Sequence, residues 1–283
     1  MRSPWFEYLR ERFPLPVYLL LVGGFVGSGA TLSGKPLTMM GMATAFIAVL
    51  SFFGLLRLMD ELKDYDIDLI AHPERPLPRG LLGVRQVKKV IVKWEFLMLA
   101  LTPFLGFSFN WAAAGVYLLM IGHLWLMYKE FYVSEWIEKH TLVYAFSHQL
   151  VLIWVCSFCV VIANQAGLSN AETWWYGGLI LGSFFTYEVC RKLDPSAHIL
   201  LRTYRKLFGL TLTGVLVLFT NLIAGFSAWK LGLGFPLWLA SAAVVGAYFI
   251  YAKHKFKIVE LIATLSLVLH LWTLPFLKLM ESL

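Results

Sequence analysis

The densest chemistry in the chain is a stretch of nine residues, Asp60-Glu61-Leu62-Lys63-Asp64-Tyr65-Asp66-Ile67-Asp68, which holds four of the five aspartates. Read as one helix at about 100° per residue, Asp60, Asp64, Arg57, Asp68 and Glu61 fall within an arc of about 100°, while Asp66 and Lys63 point elsewhere. Four carboxylates on one face repel each other unless a cation sits among them. Mg2+ suits such a face, because it takes oxygen ligands, keeps several waters and bridges one or two carboxylates to phosphates. Asp60, Glu61, Asp64 and Asp68 are therefore candidate metal ligands. Just beyond them runs a proline-stiffened loop, His72-Pro73-Glu74-Arg75-Pro76-Leu77-Pro78-Arg79-Gly80. It delivers Arg75 and Arg79 beside the acidic face that already carries Arg57, and guanidinium groups make bidentate contacts to phosphate. Acids that bridge a metal and arginines that bind phosphate read together as a diphosphate site. The plainer reading of such a segment is a solvated helix end whose acids pair with Arg57 and Lys63.

These residues have to be positioned by elements built for a membrane. Of 283 residues, 59% are hydrophobic and 14% charged, with a mean hydropathy of +0.71; a soluble domain carries roughly a quarter charged. Apolar runs long enough to cross a bilayer, about 17–25 residues each, stand at residues 14–32, 37–58, 90–107, 111–127, 142–163, 174–189, 207–229, 235–251 and 258–277. The expectation is an all-α, polytopic bundle of about nine transmembrane helices around a central cavity, with residues 1–283 as a single membrane domain.

Alternate loops assign the sidedness. The N-terminus (Arg2, Arg10, Arg12), the second-to-third connection (Arg57 to Lys93) and the later loops of the same side carry 21 of the 24 Lys and Arg residues, leaving Lys35, Lys230 and Lys278 opposite. Cytoplasmic loops are enriched in Lys and Arg, so the N-terminus is expected in the cytoplasm and the acidic site with it. Trp111, Trp174, Trp175, Trp229 and Trp238 fall at the opposite helix ends, as an interfacial aromatic belt requires. Three cysteines, Cys156, Cys159 and Cys190, lie in apolar stretches and read as packing residues. His123, His148, His270 and Asn221 lie in or near the spans, where interhelical hydrogen bonding is the default role for a polar side chain.

The segment 60–80 resembles the signature of the UbiA superfamily of intramembrane prenyltransferases, an N-D-x-x-D-x-x-x-D helix end followed by an R-P-x-R-P-x-P-x-G loop. Here it stands as Asp60-Glu61-x-x-Asp64-x-x-x-Asp68, then His72-Pro73-x-Arg75-Pro76-x-Pro78-x-Gly80, in register and on the second span. The resemblance implies that Mg2+ holds a prenyl diphosphate at the cytoplasmic end while the isoprenoid tail lies among the helices. It carries Asp64 and Asp68 over as metal ligands, with Asp60 in the Asn slot and Glu61 in an Asp slot. Tyr128 looks like the tyrosine that the family places before its fourth-to-fifth loop.

The family's second motif, D-x-x-x-D ending the sixth helix, is replaced here by Glu188-Val189-Cys190-Arg191-Lys192-Leu193-Asp194-Pro195. Glu188 takes the first acidic slot and Lys192 the second. A charged lysine cannot ligate Mg2+, so Lys192 and Arg191 are candidate contacts to the diphosphate itself. Asp194 either substitutes for the missing carboxylate, if the helix unwinds before Pro195, or closes the helix.

The function expected is Mg2+-dependent ionisation of a polyprenyl diphosphate and transfer of the chain to an unidentified lipid or aromatic acceptor, in a bacterial inner membrane with the site facing the cytoplasm. Asp60, Asp64, Asp68 and Glu188 are the expected catalytic carboxylates. Arg57, Arg75, Arg79, Arg191, Lys192 and Tyr128 are the expected diphosphate contacts, and nucleic acid is not an expected partner. A membrane terpene cyclase of the same superfamily is the alternative, and a transporter a more distant one. A CDP-alcohol phosphatidyltransferase requires D-x-x-D-G followed by A-R, and no such glycine follows here.

Overall fold

The computed structural model describes residues 3–281; Arg2, counted above among the cytoplasmic charges, lies outside them. Among the described residues the chain is helical, without strands. A short helix α1 (Pro4–Arg12) precedes α2 (Leu15–Leu32) and α3 (Met39–Lys63). A one-residue break at Asp64 leads into α4 (Tyr65–Ala71), followed by α5 (Val84–Ser108) and α6 (Trp111–Tyr128). A short loop helix α7 (Ser134–Ile137) leads to α8 (Thr141–Gln149), which continues after Leu150 as α9 (Val151–Val161). The chain closes with α10 (Ala171–Arg191), α11 (Tyr204–Lys230), α12 (Gly234–Tyr251) and α13 (Phe256–Glu281).

Eight of these are long and apolar enough to cross a membrane, α8 and α9 counting together as one. The ninth expected span corresponds to α10, a 21-residue helix with Glu172 in its first turn and Glu188 and Arg191 near its end. It packs against α2, α9, α11 and α13 and buries most of its middle, from Tyr176 to Phe185. Neighbouring helices, not lipid, thus solvate α10. The protein is an integral membrane protein.

Two glycines set how closely the bundle packs. A Cβ placed on Gly29 of α2 would lie 2.4 Å from the Cβ of Cys159 on α9, and one on Gly182 of α10 would lie 2.6 Å from the Thr220 carbonyl oxygen on α11. Small residues at such crossings let helix backbones meet, the usual means of association in membranes. Cys156 and Cys159 are fully buried free thiols in this core, in keeping with a packing role.

The two ends of the bundle differ. At one end, Asn164 donates to the carbonyl of Ser33 (2.9 Å) and Asn110 to that of Val161 (2.9 Å), tying the connecting loops together without charge. The other end is ionic. There α1, which the sequence reading leaves as a charged tail, lies across the acidic segment, with Tyr8 and Phe13 buried beneath it. Sequence periodicity gives no hint of this docking, because its partners are 49 to 72 residues away. An apolar groove of about 220 Å3 runs between α8, α10 and α11 at the side of the bundle, lined by Leu142, Phe146, Leu181, Phe185, Leu216 and Phe219 among others. A second cavity, of about 170 Å3, lies under α1 between Tyr8, Phe13, Leu58 and Trp94.

Candidate active site

The acidic segment does not form the single straight helix assumed from its sequence. Asp64 caps the end of α3 with φ −87° and ψ 2°, and Asp66 and Asp68 fall in the separate, seven-residue helix α4. The carboxylates of the segment are of two kinds.

Glu61 and Asp68 are closed off by arginines. Glu61 Oε1 accepts from Arg12 Nε at 2.6 Å and from Arg57 Nη2 at 2.7 Å, and the Glu61 side chain is 1% exposed. Both Asp68 oxygens accept from Arg75 Nη1 at 2.6 Å, with the carboxylate equally buried. Arg79 is held by Glu7 (2.7 Å) and Glu11 (2.8 Å) of α1 and by the carbonyl of Glu74 (2.7 Å). Arg57, Arg75 and Arg79, expected at the phosphate, are thus each paired with a carboxylate, and Glu61 and Asp68, expected at the metal, are each paired with arginine. The ion pairs with α1 hold the Glu11 carboxyl below its usual range, chiefly through the hydrogen bond from Arg79.

Asp60 and Asp64 are different. Asp60 is one-third exposed and, among the described residues, its ion-pair partner is Lys63, at 3.9 Å. The Asp64 side chain makes no ion pair or hydrogen bond among the described residues. Burial first, and then the neighbouring charge of Asp60, push the Asp64 carboxyl up to about 6 against the opposing charge of Lys63, the direction expected of a desolvated carboxylate beside a second one. Asp66 is exposed, in α4 beyond the break.

Facing Asp60 is the end of α10. Glu188 Oε1 meets Lys192 Nζ at 2.6 Å and Oε2 meets Arg191 Nη2 at 2.6 Å, and the charges of all three act on Asp60. Lys192 also stands 5.7 Å from the centre of the Tyr204 ring, a contact favourable to a cation. Tyr204 starts α11, whose first turn is set off by Gly209 at φ +67°, a backbone conformation that glycine adopts without strain. Asp194 accepts from the Ser196 backbone N–H (2.8 Å) and hydroxyl (2.6 Å). It therefore braces the turn that follows α10, whose end is at Arg191 with Lys192 as its cap.

Tyr128, at the end of α6, stands apart from this group; its charged neighbours are Lys129, 5.1 Å from the ring centre, and Glu95. Two residues not expected in the site are present. Lys63 Nζ donates to Tyr144 Oη at 2.7 Å and lies 3.4 Å from His148 Nε2. The i, i+4 spacing of Tyr144 and His148, both polar on one face of an apolar span, is the signal in the sequence that would have found them.

Comparison with known proteins decides what this arrangement belongs to. The model of the UbiA prenyltransferase family matches residues 17–274, which takes in the acidic segment, the arginine loop and the end of α10. The chain belongs to the UbiA prenyltransferase family. Membership makes it an enzyme of intramembrane prenyl transfer. A solved structure of digeranylgeranylglyceryl phosphate synthase superposes with a TM-score of 0.58 at 17% identity, covering 95% of this chain and 99% of the other, which shows a shared fold. No curated protein matches the sequence.

The fold family implies Mg2+, and the residues present fit it in one particular way. Among the described residues no three His, Cys, Asp or Glu side chains gather closely enough to cage an ion. What stands ready is the Asp60 and Asp64 pair, whose mutual repulsion a divalent ion relieves. Two carboxylates, with waters and substrate phosphates completing the shell, are the usual protein share of an Mg2+ site.

Proposed function

We propose that the protein is an Mg2+-dependent prenyltransferase that ionises a prenyl diphosphate at the cytoplasmic end of the bundle and passes the prenyl group to a lipid or aromatic acceptor. The observation that carries this reading is the division of charge across the site: Asp60 and Asp64 free of arginine on α3, and Lys192 and Arg191 held on Glu188 at the end of α10. A diphosphate fits between a carboxylate side that takes it through a metal and a cation side that takes it directly. Mg2+, when bound by Asp60 and Asp64, supplies positive charge to the departing diphosphate.

The rest is done by the chain's own groups. Lys192 and Arg191 hold the phosphate oxygens, and Glu188 fixes both cations so that little reorganisation accompanies charge development. Glu61 and Asp68 act as anchors: Glu61 docks α1 through Arg12, and Asp68 pins the proline loop through Arg75. Arg79 locks that loop to α1. The prenyl chain lies along the apolar groove, whose wall residue Phe185 is less than one turn from Glu188. Apolar side chains there keep water from the allylic cation. The concentration of basic residues at this end supports a site facing the cytoplasm.

The test is direct. Purified protein with Mg2+ and farnesyl or geranylgeranyl diphosphate is extracted and its products weighed by mass spectrometry, with and without polyprenol, glycerophospholipid or quinone-type acceptors. Mass gain on an acceptor is the expected result. A hydrocarbon or alcohol formed without any acceptor identifies a cyclase, and no turnover together with flux of the diphosphate into vesicles identifies a transporter; either overturns the proposal.

A further inference from the structure

The polar cluster on α8 has no part in the function proposed above. Its geometry fixes the hydrogen positions. His148 Nδ1 lies 2.7 Å from the carbonyl oxygen of Tyr144, which can only accept, so Nδ1 carries the hydrogen and Nε2 is left with its lone pair toward Lys63. The Tyr144 and His148 rings stack with centres 4.1 Å apart, and the Lys63 ammonium stands 5.2 Å from the Tyr144 ring centre. Phe131 packs edge-on against His148, with ring centres 5.7 Å apart. It is delivered by three consecutive residues in left-handed conformation, Glu130, Phe131 and Tyr132, with φ of 48°, 54° and 59°, a backbone state unfavourable for L residues. His123, by contrast, spends both nitrogens within the bundle, on the Ser147 carbonyl (2.9 Å) and the Trp154 indole N–H (3.3 Å).

One hydrogen in this cluster remains unspent. Lys63 directs its N–H groups to Tyr144, to His148 and toward Asp60. Tyr144 Oη accepts from Lys63, and its own hydrogen has no acceptor among the described residues. A phenol that accepts from an ammonium is polarised into a better donor. Lys63 Nζ stands 2.7 Å from Tyr144 Oη and 3.9 Å from Asp60 Oδ1, which sets that hydroxyl beside the acidic pair, so an anion seated over the pair through a metal comes within its reach.

We propose that Tyr144 donates its hydroxyl hydrogen to the diphosphate held over Asp60 and Asp64, and that Lys63 and His148 are positioning residues that aim it. The inference rests on the diphosphate reading above and adds a third wall, α8, to the α3 and α10 sides of the site. It also gives the left-handed turn a role, as the wedge that presses His148 onto Tyr144.

Binding of inorganic diphosphate in the presence of Mg2+, measured by titration calorimetry on the purified full chain, tests it without turnover. Tyr144→Phe should weaken binding about tenfold, the loss expected for one hydrogen bond to a charged group. His148→Leu, which releases Lys63, should weaken it comparably, whereas His148→Gln, whose amide oxygen still accepts from Lys63, should stay within about threefold of the unmodified protein. Equal affinity of folded Tyr144→Phe and the unmodified protein overturns the inference. If Tyr144→Phe does not fold, equal affinities of His148→Leu and His148→Gln overturn it instead. Absence of any Mg2+-dependent diphosphate binding by the unmodified protein overturns the diphosphate reading itself.

Discussion

Replacing Glu61 by Gln separates an anchor from a metal ligand. In the structure Glu61 Oε1 receives two charged hydrogen bonds, from Arg12 and Arg57, each of a kind that contributes roughly 1.5–3 kcal/mol. The arginine side chains are 18% and 25% exposed, so both recover hydration when the charge is lost, and the amide retains one carbonyl acceptor. Only the Arg12 bond reaches α1, since Arg57 lies four residues before Glu61 on α3, so the net cost to docking of α1 is that of one such bond, about 2 kcal/mol, below the roughly 3–5 kcal/mol for breaking a fully buried pair. At 1.4 kcal/mol per factor of ten, that is an increase of about 30-fold in the population of undocked α1. Hydrogen–deuterium exchange of Pro4–Arg12, followed by mass spectrometry, reads this directly, since those amides exchange from the undocked state. Glu61→Gln should speed their exchange while leaving the Mg2+ concentration dependence of the enzyme within about threefold of the unmodified protein, as for an uninvolved anchor. The reasoning is refuted if Glu61→Gln leaves α1 protected and instead weakens Mg2+ dependence as strongly as Asp64→Asn.

Three further outcomes are expected. Reporters fused after Gly34 or Ser169 should appear outside the cytoplasm and those after Arg79 or Arg205 inside it; a cytoplasmic signal at Ser169 contradicts the sidedness. Gly29→Ala should cost at least the upper end of the roughly 1–3 kcal/mol usual for overpacking, because its new methyl would lie 2.4 Å from Cys159; an unchanged thermal unfolding temperature in detergent would show that α2 and α9 do not meet there. Arg79 lowers the Glu11 carboxyl in the folded state, so the pair's contribution to α1 docking is complete above the unfolded value near 4.5 and is lost as pH falls through the lower folded value. For so exposed a pair the effect is under about 1 kcal/mol; exchange of α1, corrected for intrinsic rates, should rise modestly below pH 4, and Glu11→Gln should abolish the rise.

Much of the fold was legible because the membrane demands long apolar runs, and those runs are periodic, bounded by turns and flanked by a lopsided charge distribution. The acidic segment and the proline loop were legible for a similar reason, since residue type and spacing alone state their chemistry. What could not be read was pairing. A helical arc says that Glu61, Asp64 and Asp68 share a side, but not that Arg12, 49 residues earlier, reaches Glu61, nor that a break at Asp64 hands Asp68 to Arg75. Lys63, read as pointing away from the carboxylate face, lies 3.9 Å from Asp60, and its hydrogen-bond partner, Tyr144 on α8, lies 81 residues on. Glu188 and Lys192 are the opposite case: their i, i+4 order favours an ion pair within one helix, and that pair is present at 2.6 Å.

The account's central claim is that Asp60 and Asp64 act together through Mg2+ on a prenyl diphosphate. Release of diphosphate from geranylgeranyl diphosphate by purified protein, measured against Mg2+ concentration for the unmodified chain, Asp60→Ala and Asp64→Asn, tests it most directly. Release should require Mg2+, cease with EDTA and fall by two decades or more in each variant, about what removing one electrostatic stabiliser of a leaving group costs, while both variants unfold at the temperature of the unmodified protein or above it. Release that persists in EDTA, or that survives Asp64→Asn undiminished, would contradict the claim.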